Sequence, residues 1–251
     1  MTPPPLLRST PSVASERSVA PPTPGRPGSG GPAVDLVIEP VLTPLTPGWA
    51  EAVELLDDAE RNRLALTSGP AVRARFVTGR LALRRLAAAR LGIAARDVRI
   101  QARRADRSGR PDAPVVSTQD GRRLGAGVSH AGDRVLVAVA DQPGLGVDLV
   151  EIDAAEFPGF DRTVLTRSER ATPASSRDRT PWRARVWAAK EAVLKAAGRG
   201  PRLSPTAVEL AEPGSQAVGT AVLAGPSGPT SFTVTPAAAP DGLVAAVARP
   251  S

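Results

Sequence analysis

The chain has 251 residues, 32 Lys plus Arg against 25 Asp plus Glu, a formal net charge of +7, one histidine and no cysteine. The missing cysteines exclude disulfides and thiolate metal sites and fit a reducing cytoplasm; with His130 alone, a metal would have to be held by carboxylates, which favours magnesium, manganese or calcium. No apolar run reaches the roughly 18 to 20 residues of a membrane span, no apolar secretory stretch follows Met1, and the basic balance points to an acidic protein, an anionic cofactor or nucleic acid as partner.

Residues 1–32 are dominated by Pro, Ser, Thr and Gly, including Pro3-Pro4-Pro5, and read as a disordered leader. A first strand is expected over 33–38 and a helix over 47–66, where Glu51, Glu54, Asp57, Asp58 and Glu60 surround Leu55 and Leu56. Beyond Ser68-Gly69-Pro70, Val72, Phe76, Leu83 and Leu86 recur at near-helical spacing over 71–91. Arg75, Arg80, Arg84 and Arg85 lie between them, and Gly92 ends a helix with a basic side. A short strand over 97–102 precedes a loop that Gly109 and Pro111 stiffen around Arg110. Residues 128–133 read as a tight turn into a strand over 134–140, and Gln142-Pro143 as a hairpin-like link to a strand over 144–152. A Thr166-x-x-Glu169 capping pattern leads to a second long helix, and strands are expected at 207–210, 217–223, 230–235 and 243–248. Strands and one long helix in each half predict an α+β fold of two similar lobes, 33–142 and 143–251. Each would be a small, mainly antiparallel sheet packed on its helix.

The second long helix organises the chain. Thr180 suits its cap, Pro181 its first position and Gly198 the left-handed residue after its end. At about 100° per residue, Trp182, Val186, Val193, Leu194 and Ala197 form a core-facing arc with Lys190 in its middle. Glu191 falls at the edge beside Trp187, and Lys195 one turn further. Thirty of the 32 basic residues are arginines; the two lysines are Lys190 and Lys195, bracketing Glu191. In the strand Gly146-Val147-Asp148-Leu149-Val150-Glu151, period two places Asp148 on an apolar face with Val150 and Ile152, where a carboxylate needs a donor, a cation or a metal. Asp148 paired with Glu191 would make a two-carboxylate magnesium site, completed by water and phosphate oxygens; Asp148 against a core arginine is the structural alternative.

Gly146-Val-Asp148-Leu-Val-Glu151 followed by Trp187-Ala-Ala-Lys190-Glu191-Ala-Val-Leu-Lys195 resembles the signature of 4′-phosphopantetheinyl transferases. The specific part is Trp-x-x-Lys-Glu-x-x-x-Lys. Gly109-Arg110-Pro111, Val128-Ser129-His130 and Arg75 with Gly79 and Arg84 are similar to further motifs of the family in the same order. The length resembles the larger surfactin-synthetase type, a single-chain pseudo-dimer acting as a monomer.

The resemblance implies transfer of phosphopantetheine from coenzyme A to a serine of an apo acyl or peptidyl carrier protein, an acidic partner, with release of 3′,5′-ADP. It implies Asp148, Glu191 and Lys195 as catalytic residues, Asp148 and Glu191 as ligands of Mg2+ or its substitute Mn2+, and Glu191 as helper in deprotonating the serine. Arg75, Arg110, Pro111, Ser129, His130, Lys190 and Lys195 become the coenzyme-binding set, with the stem of Lys190 packed in the core. Trp187 reads as core packing. Two positions depart from the pattern. Val150 stands where larger members carry a second acid, with Glu151 one residue later, so two metal carboxylates are expected rather than three; and Gly127 stands where an Asn is common. A basic nucleic-acid-binding protein accounts for the charge alone, and a carrier-binding homologue with a decayed metal site accounts for Val150.

Overall fold

Each half of the chain runs strand, three helices, four strands. The computed structural model describes residues 33–102, 114–171, 179–226 and 228–251. Its first half consists of β1 (Val34–Pro40), α1 (Trp49–Glu54), α2 (Asp58–Leu66), α3 (Pro70–Leu91), β2 (Arg99–Ala102), β3 (Pro114–Ser117), β4 (Arg123–Ala131) and β5 (Arg134–Ala140). The second half repeats that order with β6 (Gly146–Glu151), α4 (Phe160–Val164), α5 (Arg167–Arg170), α6 (Arg179–Ala196), β7 (Val208–Leu210), β8 (Gly219–Leu223), β9 (Thr230–Ala237) and β10 (Leu243–Pro250). The leader expected over 1–32, and Arg110 and Pro111, lie outside the described residues.

The strands form two five-stranded antiparallel sheets of matching topology, β1-β5-β4-β3-β2 and β6-β10-β9-β8-β7. Period two explains how they stack. Val135, Val137 and Val139 point from β5 toward Leu83 and Ala87 of α3, while Leu136, Ala138 and Ala140 point the other way, into a layer shared with Leu145, Val147, Leu149 and Val247. On the far side of the second sheet, Val150, Val208, Phe232 and Ala246 meet Val186, Val193 and Leu194 of α6. The two sheets thus lie face to face between α3 and α6. Each fully buried Val or Leu in these layers contributes about 1.5–3 kcal/mol of hydrophobic stabilisation.

Four expectations are corrected. The helix over 47–66 is two helices, because Asp57 breaks it and caps α2 through a reciprocal capping box with Glu60. The turn over 128–133 is mostly strand: Val128, Ser129 and His130 belong to β4, and only Gly132, at φ 53°, and Asp133 make the reversal. The hairpin at 142–143 does not exist, since β5 is already paired on both edges by β1 and β4 and the chain crosses to the other sheet. Thr180 is inside α6, which is already helical at Arg179, and its hydroxyl donates to Glu156 Oε1 at 2.6 Å.

Close approach explains the glycine-rich sequence of β4. A Cβ on Gly125 would fall 2.1 Å from the Gln142 carbonyl oxygen, and one on Gly127 2.9 Å from Val147 Cγ2. Bare backbone there lets β6 and its lead-in segment lie against β4.

Candidate active site

A second close approach sets the chemistry. A Cβ on Gly146 would lie 2.0 Å from the Ala192 carbonyl oxygen and 2.4 Å from the Ala196 nitrogen, so α6 rides directly on β6. Asp148, two residues along β6, therefore comes under the turn of α6 that carries Glu191 and Lys195. Gly198, at φ 65°, ends that helix, and the Arg199 N–H returns to the Leu194 carbonyl at 2.8 Å.

Asp148 is 6% exposed. Its Oδ1 accepts from Ser129 Oγ at 2.8 Å and from Lys195 Nζ at 2.5 Å; Lys195 Nζ also donates to Ser129 Oγ at 3.0 Å, and the Leu149 N–H reaches the same hydroxyl at 3.2 Å. Ser129 is thus the hub that aims Asp148. Burial, and then the charge of Asp148, push the Glu191 carboxyl above the usual carboxylate range, while Lys195 and the Trp187 indole N–H pull it back. The indole is itself held edge-on by Phe157 and Phe160, at ring-centroid distances of 5.8 and 6.0 Å.

Glu191 and Lys195 open into a cleft of about 520 Å³, whose other walls carry Arg75, Phe76 and Arg80 of α3, Arg63 of α2 and His130 of β4. Arg75 donates to the Gly132 carbonyl at 2.9 Å. His130 is held below its ordinary value by desolvation and by the charges of Arg75 and Lys195, against the pull of Asp148. The guanidinium groups of Arg63 and Arg80 each lie over the Phe76 ring, 5.0 and 5.2 Å from its centroid. Arg80 is almost buried, and its Nε lies 3.0 Å from Glu60 Oε1 without the alignment of a hydrogen bond. Burial lowers its pKa, Glu60 opposes that, and Arg63 and Arg84 reinforce it. The cleft therefore carries the Glu191 carboxylate among the cations Lys195, Arg63, Arg75 and Arg80.

Of the expected site residues, Asp148, Glu191, Lys195, Ser129, His130 and Arg75 come together. Lys190 goes elsewhere. Fully buried, it lies 2.6 Å from Glu169 Oε2, donates to the Val164 carbonyl at 2.9 Å and does not line the cleft. Arg63 and the role of Phe76 were not foreseen; the signal for the latter was the Phe76 and Arg80 pair one helical turn apart.

The donor set fits a hard divalent cation only in part. Two neighbouring carboxylates, Asp148 buried and Glu191 raised first by its own burial and then by Asp148, share the single charge of Lys195 and leave room for a further cation. Among the described residues no group of three or more His, Asp or Glu side chains is placed to hold a metal. Remaining ligands would have to be water and substrate oxygens. Val150 is packed in the core, and the Glu151 carboxylate turns toward Gly132, so neither adds a third carboxylate.

A mixed α/β chain with two antiparallel sheets, paired carboxylates and a cationic cleft has the equipment for phosphoryl-group transfer. The model of the 4′-phosphopantetheinyl transferase superfamily matches residues 144–248, the stretch from the start of β6 through β10 that holds Asp148, Glu191 and Lys195. That superfamily domain supports phosphopantetheinyl transfer in general; its members use coenzyme A as substrate, generally with Mg2+, and act on carrier proteins. A comparison with curated proteins gives no match. No described helix is long and apolar enough to cross a membrane.

Proposed function

We propose that this chain is a holo-[acyl-carrier-protein] synthase type transferase of the larger, surfactin-synthetase kind: a cytoplasmic, Mg2+-dependent monomer built as a pseudo-dimer of two α+β lobes. It moves 4′-phosphopantetheine from coenzyme A to a serine of an acidic apo acyl or peptidyl carrier protein. The observation that carries the proposal is the convergence of Glu191 and Lys195, above the buried Asp148 that Lys195 contacts, on a cleft that Arg63, Arg75 and Arg80 also line. The shared element order and strand order of the two halves support the pseudo-dimer.

In the reaction the serine Oγ forms a bond to the pantetheine-side phosphorus, the phosphoanhydride P–O bond breaks, and 3′,5′-ADP leaves with the electron pair. Asp148 and Glu191 would hold the metal, which neutralises charge on the pyrophosphate oxygens when bound. Glu191 accepts the serine proton, directly or through water, and its raised pKa suits a general base. Lys195 faces the transferring phosphate. Arg75 and His130 hold the nucleotide, joined by Arg110 and Pro111 from outside the described residues, while Arg63 and Arg80 add charge to the cleft. Lys190 leaves the coenzyme-binding set and holds α5 to α6 through Glu169.

The test is an intact-mass assay of apo carrier proteins of fatty-acid, polyketide and nonribosomal-peptide type, incubated with coenzyme A and Mg2+. A gain of one phosphopantetheine is expected, lost with chelator and with Glu191→Ala. Coenzyme A binding without turnover on any carrier would instead support a decayed site. No coenzyme A binding, with salt-sensitive nucleic-acid binding that survives Glu191→Ala, would overturn the reading altogether.

A further inference from the structure

We propose that Lys195 is the resident counter-ion of Asp148, and that a divalent cation reaching Asp148 displaces its ammonium into the cleft. Metal loading and delivery of the lysine would then be one event. This rests on the reading of Asp148 and Glu191 as the metal pair.

The geometry argues for competition. Lys195 Nζ sits 2.5 Å from Asp148 Oδ1, the tightest contact that carboxylate makes, and the same oxygen already accepts from Ser129. An ammonium and a dication cannot share one carboxylate oxygen without strong repulsion. Lys195 also follows Glu191 by one turn of α6 while touching Asp148, so one ammonium serves both carboxylates. A cation of charge +2 takes over that task and leaves the lysine in surplus. Displaced, Lys195 has somewhere to go: its side chain is 31% exposed and lines the cleft, whereas Asp148 beneath it is nearly closed to solvent. The stem is anchored in the last turn of α6 and needs only side-chain rotation. Ser129, which contacts both partners, would keep Asp148 in place while the exchange happens.

The composition makes this directly measurable. Of the two lysines, Lys190 is fully buried, so Lys195 carries the one side-chain amine that a reagent can reach. The folded protein, without coenzyme A, is pulse-acetylated with an N-hydroxysuccinimide ester at fixed pH, with and without Mg2+ or Mn2+. The peptide carrying Lys195 is then quantified by mass spectrometry, and Mn2+ binding is titrated in parallel by calorimetry.

The expected result is acetylation of Lys195 accelerated about fivefold or more at saturating metal, with Lys190 unlabelled throughout. Asp148→Asn should label at a rate that ignores metal. Lys195→Met should bind Mn2+ roughly tenfold more tightly than the wild type, because the competing charge is gone, and Lys195→Arg should not. Metal binding with an unchanged labelling rate overturns the displacement while sparing the metal site. Absence of Mn2+ binding in both wild type and Lys195→Met overturns the displacement and the metal pair together.

Discussion

Lys190 Nζ and Glu169 Oε2 lie 2.6 Å apart with side-chain exposures of 0% and 1%. Glu169 accepts in addition from the Leu210 and Thr166 N–H groups, so one carboxylate ties α6 to β7 and to the start of α5. Burial lowers the Lys190 pKa and Glu169 opposes that only in part, as expected for an ion pair whose desolvation outweighs its attraction. Lys190→Met leaves the Glu169 charge buried and unpaired. It should destabilise the protein by about 3–5 kcal/mol in urea unfolding at pH 7, and the double variant with Glu169→Gln should recover part of that loss. Coenzyme A affinity of the folded variant should match the wild type, since Lys190 does not reach the cleft.

Lys190 also shows what was legible in the sequence. Its place in the middle of an apolar arc, next to Val186 and Leu194, is a statement about helical period, and the structure bears out that placement. Its partner could not be read, because Glu169 is 21 positions away and its own signal was a capping pattern. The face of Asp148 was equally legible from period two, while its dependence on Ser129 was not: β4 carries Gly125 and Gly127, residues that weaken a strand signal, and tertiary packing overrides that weakness. Arg63 reached the cleft because Asp57 starts a new helix and turns α2 back over α3, a break that composition alone blurred.

Gly146 positions the site through what it lacks. With Ala192 and Ala196 backbone 2.0 and 2.4 Å from the place of a Cβ, Gly146→Ala must push α6 off β6. The expected cost is about 1–3 kcal/mol or more in unfolding free energy. In the fraction that folds, Asp148 and Glu191 should separate, and turnover should fall further than coenzyme A affinity, since Arg75 and His130 belong to the other sheet and its helix. An unchanged melting temperature would refute the contact.

Trp187 is more than packing. Its indole N–H favours the ionised form of Glu191 from one helical turn away, and Phe157 and Phe160 fix the ring. Trp187→Phe keeps an aromatic ring in the cluster and removes the donor. With that support for the ionised carboxylate gone, kcat at fixed pH should fall with little change in KM for coenzyme A. The acid limb of the pH–rate profile should move upward, which loss of packing alone would not cause.

His130 gives the pH dependence. The ring is open to the cleft on one side, yet desolvation, Arg75 and Lys195 together hold it below the ordinary histidine value of 6.5, with Asp148 opposing them. In the free protein it is therefore neutral at pH 7. A histidine whose folded pKa is depressed binds fewer protons than the unfolded chain, so its stabilising share is complete above about 6.5 and is lost as pH falls through the folded value. His130→Gln should flatten that acid-side loss in a series of melting curves. Phosphate groups entering the cleft have the opposite sign to Arg75 and Lys195 and will raise the His130 pKa, so binding of coenzyme A or 3′,5′-ADP should take up a proton in the interval between the free and bound values. Calorimetry in two buffers of different ionisation enthalpy reads that uptake. Affinity should strengthen as pH drops across the interval, up to about tenfold for each unit by which the pKa moves. The His130→Gln variant should show neither the proton uptake nor that slope, and an identical slope in the variant would place the titrating group elsewhere.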